Sequence, residues 1–193
     1  MTPLSLSTAL LGLWAVSWAV AAIWTRRTTA RPPLFDQVAY SVPIFVGVML
    51  TFAAPVWRLP AWAGWLMAAC VAGGVAFMWW ARLTLGDLWS GHVTRKEGHQ
   101  LIERGPYRLV RHPIYTGLIA AFFALAVQFG SPVALVGALF VALGFWLKAR
   151  LEERFLIAGL GEAAYADYRS RTPMLAPFWP TPGGRRRSAS PPR

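Results

Sequence analysis

Two short stretches hold most of the residues able to do chemistry. One runs from His99 through Tyr115 and includes Gly105-Pro106-Tyr107 and Arg111-His112-Pro113-Ile114-Tyr115-Thr116-Gly117; the other runs from Lys148 through Arg154. Both adjoin hydrophobic segments, and an ionisable side chain at a membrane edge is by default a candidate for function. The spacing argues against several chemistries. His92, His99 and His112 lie 7 and 13 residues apart with no cysteine partner, which does not suit a metal centre. No Gly-x-Ser-x-Gly elbow is present and the acids are scattered, so a Ser-His-Asp hydrolase has no signal. Gly159-Leu160-Gly161-Glu162-Ala163-Ala164 matches a dinucleotide fingerprint only superficially. It follows a helical pattern instead of a strand and reads as a turn between helices.

The elements that must position these residues are membrane helices. The chain has 193 residues, of which 56% are hydrophobic and 14% charged, a balance too apolar for an ordinary soluble domain. Apolar segments cover residues 4–24, 37–57, 60–81, 113–129 and 132–149, against the about 20 helical residues that cross a bilayer core. The last two are short, meet at Gly130-Ser131-Pro132 and predict a tight helical hairpin. The first has no preceding positive charge and is followed by Arg26-Arg27, so it reads as an uncleaved span rather than a signal peptide. Trp62 and Trp65 near one end of the third span, with Trp79 and Trp80 near the other, resemble aromatic belts. Ala69 and Gly73 there offer a small-xxx-small spacing for helix contact. Cys70, the only cysteine, reads as a small packing residue.

The net charge of +11 could point to nucleic acid, but its placement points to membrane topology. With five spans and the N-terminus outside, 18 of the 19 Lys and Arg residues fall on one side, Arg58 being the exception. That matches the positive-inside rule, with a cytoplasmic C-terminus and no nucleic-acid partner. The short connections suit a bacterial inner membrane. Residues 150–171 alternate charged and apolar positions and predict an amphipathic helix folding back on the cytoplasmic mouth. Residues 180–193 read as a disordered basic tail with Arg185-Arg186-Arg187 near anionic headgroups. The expected fold is all-α: a polytopic membrane protein with about five transmembrane helices. Residues 1–179 form one domain, with a cytoplasmic cofactor region at 84–117 and 148–171.

A resemblance then becomes specific. His99-Gln100-Leu101-Ile102, Gly105-Pro106-Tyr107 and Arg111 through Gly117, followed by Glu152-Glu153-Arg154-Phe155-Leu156, Gly161-Glu162, Tyr165, Tyr168 and Pro173, resemble the two-part signature of the isoprenylcysteine carboxyl methyltransferase family. The likeness covers roughly residues 84–178. It implies an integral membrane methyltransferase using S-adenosylmethionine. His99, Gln100, Leu101, Ile102, Tyr107, His112, Pro113, Ile114 and Tyr115 would line the cofactor pocket, and Glu152 would reach it from the last helix. A carboxylate suits the cofactor's ammonium, and tyrosine faces suit adenine and sulfonium. The resemblance also implies an arginine orienting the acceptor carboxylate. Lys148 stands four residues before Glu152 and Arg150 two before it, so Arg150 is the candidate. The implied acceptor is lipophilic or prenylated and reached through membrane lipid. Similar folds methylate phospholipid amines or small thiols. An amine acceptor would need a base, for which Glu153 or His99 would serve. The alternative from another class is a membrane scaffold or carrier with no cofactor affinity.

Overall fold

Thr2 starts the first helix with a capping box: its hydroxyl accepts the Ser5 N–H while the Ser5 hydroxyl oxygen accepts the Thr2 N–H, at 3.1 and 2.9 Å. Pro3 occupies the first helical position, where its missing N–H costs nothing. The computed structural model describes residues 1–23, 28–30, 32–86, 95–96 and 101–178. Among them are helices α1 (Pro3–Ala21), α2 (Leu34–Thr51), α3 (Ala61–Leu85), α4 (Pro113–Phe129), α5 (Pro132–Leu160) and α6 (Glu162–Arg171). Two short strands, β1 (Thr28–Ala30) and β2 (Arg95–Lys96), pair antiparallel. α1, α2, α3 and residues 132–158 of α5 are long and apolar enough to cross a membrane, and α4 is a shorter apolar helix.

Close helix contacts set the directions of the five. Gly64 lies against Pro3, and Arg82 donates to the Ala21 carbonyl at 2.8 Å, so α1 and α3 run parallel. α4 opposes α3: a Cβ on Gly74 would sit 2.8 Å from the Gly117 carbonyl. α2 opposes α5: a Cβ on Gly137 would meet the Gly47 carbonyl and the Thr51 nitrogen, both at 2.6 Å, and one on Gly144 would meet the Tyr40 carbonyl at 2.9 Å. Small residues let the helix backbones touch where lipid supplies no hydrophobic drive. The five helices therefore alternate in direction, as the charge distribution predicts. Leu13, Val16, Phe45, Met49, Leu139 and Leu143 lie exposed along their outer faces, as a bilayer requires. Gly130, in the left-handed region at φ 62°, closes α4, and its carbonyl accepts from Val56 and Trp57 at 2.7 and 3.0 Å. That turn pins the α2–α3 connection to the hairpin.

Three sequence expectations shift. α5 does not end at residue 149 but continues to Leu160, because no proline interrupts 150–160; Arg150 and Arg154 face outward, while Glu152 and Glu153 find partners on neighbouring elements. The expected amphipathic helix is thus divided between the end of α5 and α6, at Gly161 with φ 91°. In α3 the packing glycine is Gly74 and not Gly73, which has nothing within 4 Å of a built Cβ. Trp79 is turned onto Trp18 of α1, with ring centroids 5.5 Å apart, while Trp62, Trp65 and Trp80 remain exposed. The tail at 180–193 lies outside the described residues.

α5 has 29 residues; at about 1.5 Å each it spans about 43 Å, more than the about 30 Å hydrocarbon core. Counted from Pro132, Lys148 lies about 24 Å and Arg154 about 33 Å along the helix, so this stretch straddles the end of a core of that thickness.

The glycine contacts give a test. Gly137→Ala is expected to destabilise the protein by about 1–3 kcal/mol through overpacking against α2. Gly73→Ala is expected to stay within about 0.5 kcal/mol of wild type. Thermal unfolding in detergent reads both, and equal midpoints would contradict the α2–α5 contact.

Candidate functional site

The site begins with Pro113. Proline disfavours the helical conformation in the residue before it; His112 stands outside the helix at φ −125°, ψ 65°, and α4 starts directly after it. The His112 carbonyl accepts the Thr116 N–H at 3.0 Å, while its ring faces the end of α5. There His112 Nδ1 lies 3.3 Å from a Glu152 oxygen, and Nε2 lies 3.3 Å from Glu153 Oε1. Arg111 Nε donates to the same Glu153 oxygen at 2.7 Å. The Tyr115 hydroxyl donates to Glu152 at 2.5 Å. Arg111, His112, Tyr115, Lys148 and Glu153 are all buried.

Aromatic rings form the other wall. The His112 and Tyr115 rings are parallel to within 4°, with centroids 5.5 Å apart, and Phe145 stacks beyond Tyr115 at 5.1 Å. Lys148 Nζ lies 5.2 Å from the Tyr115 centroid and 5.4 Å from that of Tyr40, which enters from α2.

A backbone strap holds the loop in place. The Pro173 and Met174 carbonyls accept the N–H groups of Arg111 and His112 at 2.9 and 3.1 Å. The Leu175 carbonyl accepts the Thr116 hydroxyl at 2.6 Å, and the Thr172 and Arg169 carbonyls accept from the Arg111 guanidinium. α6 adds Tyr168, whose hydroxyl donates to the Tyr107 carbonyl at 2.7 Å, and Tyr165, hydrogen-bonded to Glu153. Burial, with the neighbouring glutamates adding to it, pushes the Tyr107 and Tyr165 hydroxyls above the ordinary tyrosine range. Both therefore remain phenols.

The sequence-predicted residues separate into groups. His112, Tyr115, Glu152 and Glu153 meet directly. Pro113 is buried at the start of α4, and Ile114 packs against the core of Met78, Tyr115 and Phe145. Tyr107 is buried within electrostatic range of Glu152. Leu101 and Ile102 are half-buried just before Glu103, which Arg171 of α6 holds at 2.9 Å. His99 and Gln100 lie outside the described residues. Arg150 does not join the cluster: it is exposed, with its guanidinium 5.3 Å from the Trp146 ring. The basic residue turned inward is Lys148. The spacing held that signal, since i and i+4 share a helix face and Lys148 is four before Glu152. Tyr40 and the strap carbonyls carried none.

Burial alone would pull the His112 pKa down. The two glutamates, as hydrogen-bond partners and nearby negative charges, outweigh it and leave His112 above the ordinary histidine value of 6.5. Its charged form therefore contributes stability in full below pH 6.5, and that contribution is lost as pH rises through the higher folded-state value. Thermal midpoints of wild type and His112→Gln should differ most on the acid side and converge with rising pH; a gap that widens instead would refute the arrangement.

A sequence model described as the isoprenylcysteine carboxyl methyltransferase (ICMT) family matches residues 65–158. The chain is similar to a methanethiol S-methyltransferase of Mycobacterium tuberculosis, 31% identical over 201 residues covering 89% of this chain and 76% of that protein. It is also similar to protein-S-isoprenylcysteine O-methyltransferase B of Arabidopsis thaliana, 29% identical over 45% of this chain and 44% of the plant protein. The cobalt-zinc-cadmium resistance protein CzcN of Cupriavidus metallidurans is 34% identical over 49% of this chain and 44% of its own length. The matched stretch contains the α4 start and the acidic end of α5, and with a relative aligned over most of both chains, this polytopic membrane protein belongs to the isoprenylcysteine carboxyl methyltransferase family of membrane methyltransferases.

Proposed function

We propose that the protein is an S-adenosylmethionine-dependent methyltransferase acting on a small apolar thiol that reaches the site through the bilayer. The observation that carries the cofactor reading is the half-buried Glu152, braced by Tyr115 and His112 beside a stack of aromatic rings. That donor set fits the group. A carboxylate receives an ammonium, and electron-rich ring faces receive a sulfonium and a purine. S-adenosylmethionine, when bound, supplies an electrophilic methyl group on a positively charged sulfur. Glu152, Tyr115, His112 and Tyr107 would hold it, joined by Leu101, Ile102, Pro113 and Ile114 and by His99 and Gln100 ahead of them.

The chain's own part is alignment and exclusion of water. Holding donor and acceptor in line is worth up to about 7–11 kcal/mol in well-oriented systems. Glu153 is tied to Arg111, His112 and Tyr165. We therefore assign it the positioning of His112 rather than proton abstraction.

Two observations favour a thiol over a carboxylate. The relative aligned over most of both chains is named a methanethiol S-methyltransferase. In addition, no described arginine offers its fork to the cluster's acceptor side: Arg150 faces outward and Arg111 is engaged by Glu153 and the strap. A prenylated cysteine carboxylate is the second reading, favoured by the plant relative's name. All site-side connections carry the Lys and Arg residues, so we orient this end toward the cytoplasm of a bacterial inner membrane, N-terminus outside. Residues 1–179 then act as one methyltransferase unit.

Calorimetry with S-adenosylhomocysteine in detergent tests the cofactor reading. Glu152→Gln should weaken binding by on the order of 10-fold or more, the worth of a charged hydrogen bond. Arg150→Ala should leave it within about twofold. No binding by wild type at about 1 mM ligand would instead favour a scaffold or carrier. Labelled methyl transfer then separates a volatile sulfide from a methylated lipid product.

A further inference from the structure

Lys148 is the one buried ionisable group of the cluster that the cofactor reading leaves without a task. A lysine near the end of a membrane helix ordinarily stretches its stem to put the ammonium in the headgroup layer. This side chain does the opposite. It is only 8% exposed, and its ammonium is held inward over two rings, Tyr40 of α2 and Tyr115 of α4. On its own helix Glu152 faces it through a Coulombic attraction, while the Glu152 carboxylate is hydrogen-bonded to Tyr115 and paired with His112. The α2–α5 glycine contacts bring Tyr40 close enough to form this box.

From this placement we infer that Lys148 selects the acceptor: its ammonium, fixed between Tyr40 and Tyr115, receives the acceptor sulfur as a thiolate. The inference rests on the methyltransferase reading above. A compact ammonium is a point charge suited to a single anionic atom, whereas a planar carboxylate is matched by an arginine fork. A cation beside a thiol also makes it a better nucleophile. Neighbouring Lys, Arg or His⁺ lowers a cysteine from about 8.5 to about 3.5–7.5. In the transfer, the S–H bond breaks and its proton leaves to water at the mouth. The sulfur lone pair forms the new S–CH₃ bond as the donor's C–S bond breaks. That electron pair returns to the donor sulfur, which ends as a neutral thioether. Tyr40 and Tyr115 are the positioning residues that keep the ammonium from swinging outward.

The test uses the full chain in detergent, with Lys148→Met and Lys148→Arg. Lys148→Met should retain S-adenosylhomocysteine affinity within about threefold and lose on the order of 100-fold in methylation of a short alkanethiol, the effect of removing one fixed electrostatic stabiliser. A second readout needs no turnover: a nitro-substituted aromatic thiol, coloured as its thiolate, is titrated into protein saturated with S-adenosylhomocysteine. Its apparent pKa should be lower with wild type than with Lys148→Met. Lys148→Arg should keep the charge and shift preference toward a farnesylated cysteine carboxylate. Thiol methylation by Lys148→Met at the wild-type rate, or the same thiol pKa with both proteins, overturns the inference and leaves the proposed function standing. If Lys148→Met fails to fold, an unchanged acceptor preference in Lys148→Arg overturns it. A wild type that binds S-adenosylhomocysteine yet methylates only the carboxylate removes both the thiol reading and this role of Lys148.

Discussion

Two consecutive carboxylates, Glu152 and Glu153, must be neutralised at the lip of a membrane, and the architecture answers to that requirement. Adjacent helical residues point about 100° apart, so the two cannot share one partner on a facing helix. The histidine ring resolves this, with Nδ1 against Glu152 and Nε2 against Glu153. Arg111 and Tyr165 complete the shell of Glu153, and Tyr115 and Lys148 that of Glu152. An unpaired buried charge costs several kcal/mol. Removing the bridge would therefore weaken the neutralisation of both carboxylates at once.

Much of the surrounding structure follows from holding that ring still. His112 reaches both glutamates because Pro113 keeps it out of the helix, and the strap from Thr172 to Leu175 satisfies the backbone donors that a non-helical residue leaves exposed. α6 exists to deliver that strap: its tyrosines clamp Glu153 and the Tyr107 carbonyl while its far end turns the chain back over Arg111. α4 is short for the same reason, since its first turn must stop where α5 is still rising out of the bilayer. The unequal lengths of the hairpin helices place a charged helix end beside an aromatic helix start.

Hydropathy and charge counting made the spans and their alternation legible, because both depend on the whole length of a segment and tolerate local error. The order of the signature residues made the meeting of His112, Tyr115, Glu152 and Glu153 legible. Four details escaped for physical reasons. The end of α5 was hidden because an exposed helical stretch and a separate amphipathic helix share one pattern, and only Gly161 marks the break. Gly73 and Gly74 differ by one residue but by about 100° of rotation, which no spacing rule settles without a partner helix. Arg150 and Lys148 are the same problem at the site. The side-chain chemistry favoured arginine and the helix geometry favoured lysine; the rotation of α5 turns Lys148 toward the cluster and Arg150 away from it. The strap uses main-chain carbonyls, which every residue carries, so it left no trace in residue types.

The charge balance of the cluster bears on its acceptor. Among the described residues, Arg111, His112 and Lys148 face Glu152 and Glu153, three basic groups against two acidic ones. Arg111 is fixed on Glu153 and the strap, and His112 is shared, so Lys148 carries the positive charge least committed to a single carboxylate geometry. On the proposed reading, a donor ammonium placed at Glu152 would draw that carboxylate's charge away from Lys148, while the donor's sulfonium, ammonium and carboxylate together would add one net positive charge. The site would then hold an excess of positive charge in an apolar setting, where such charge is poorly screened. An anionic acceptor relieves that excess and a neutral one does not. On the proposed reading, donor binding would favour an ionised acceptor over a neutral one at this site.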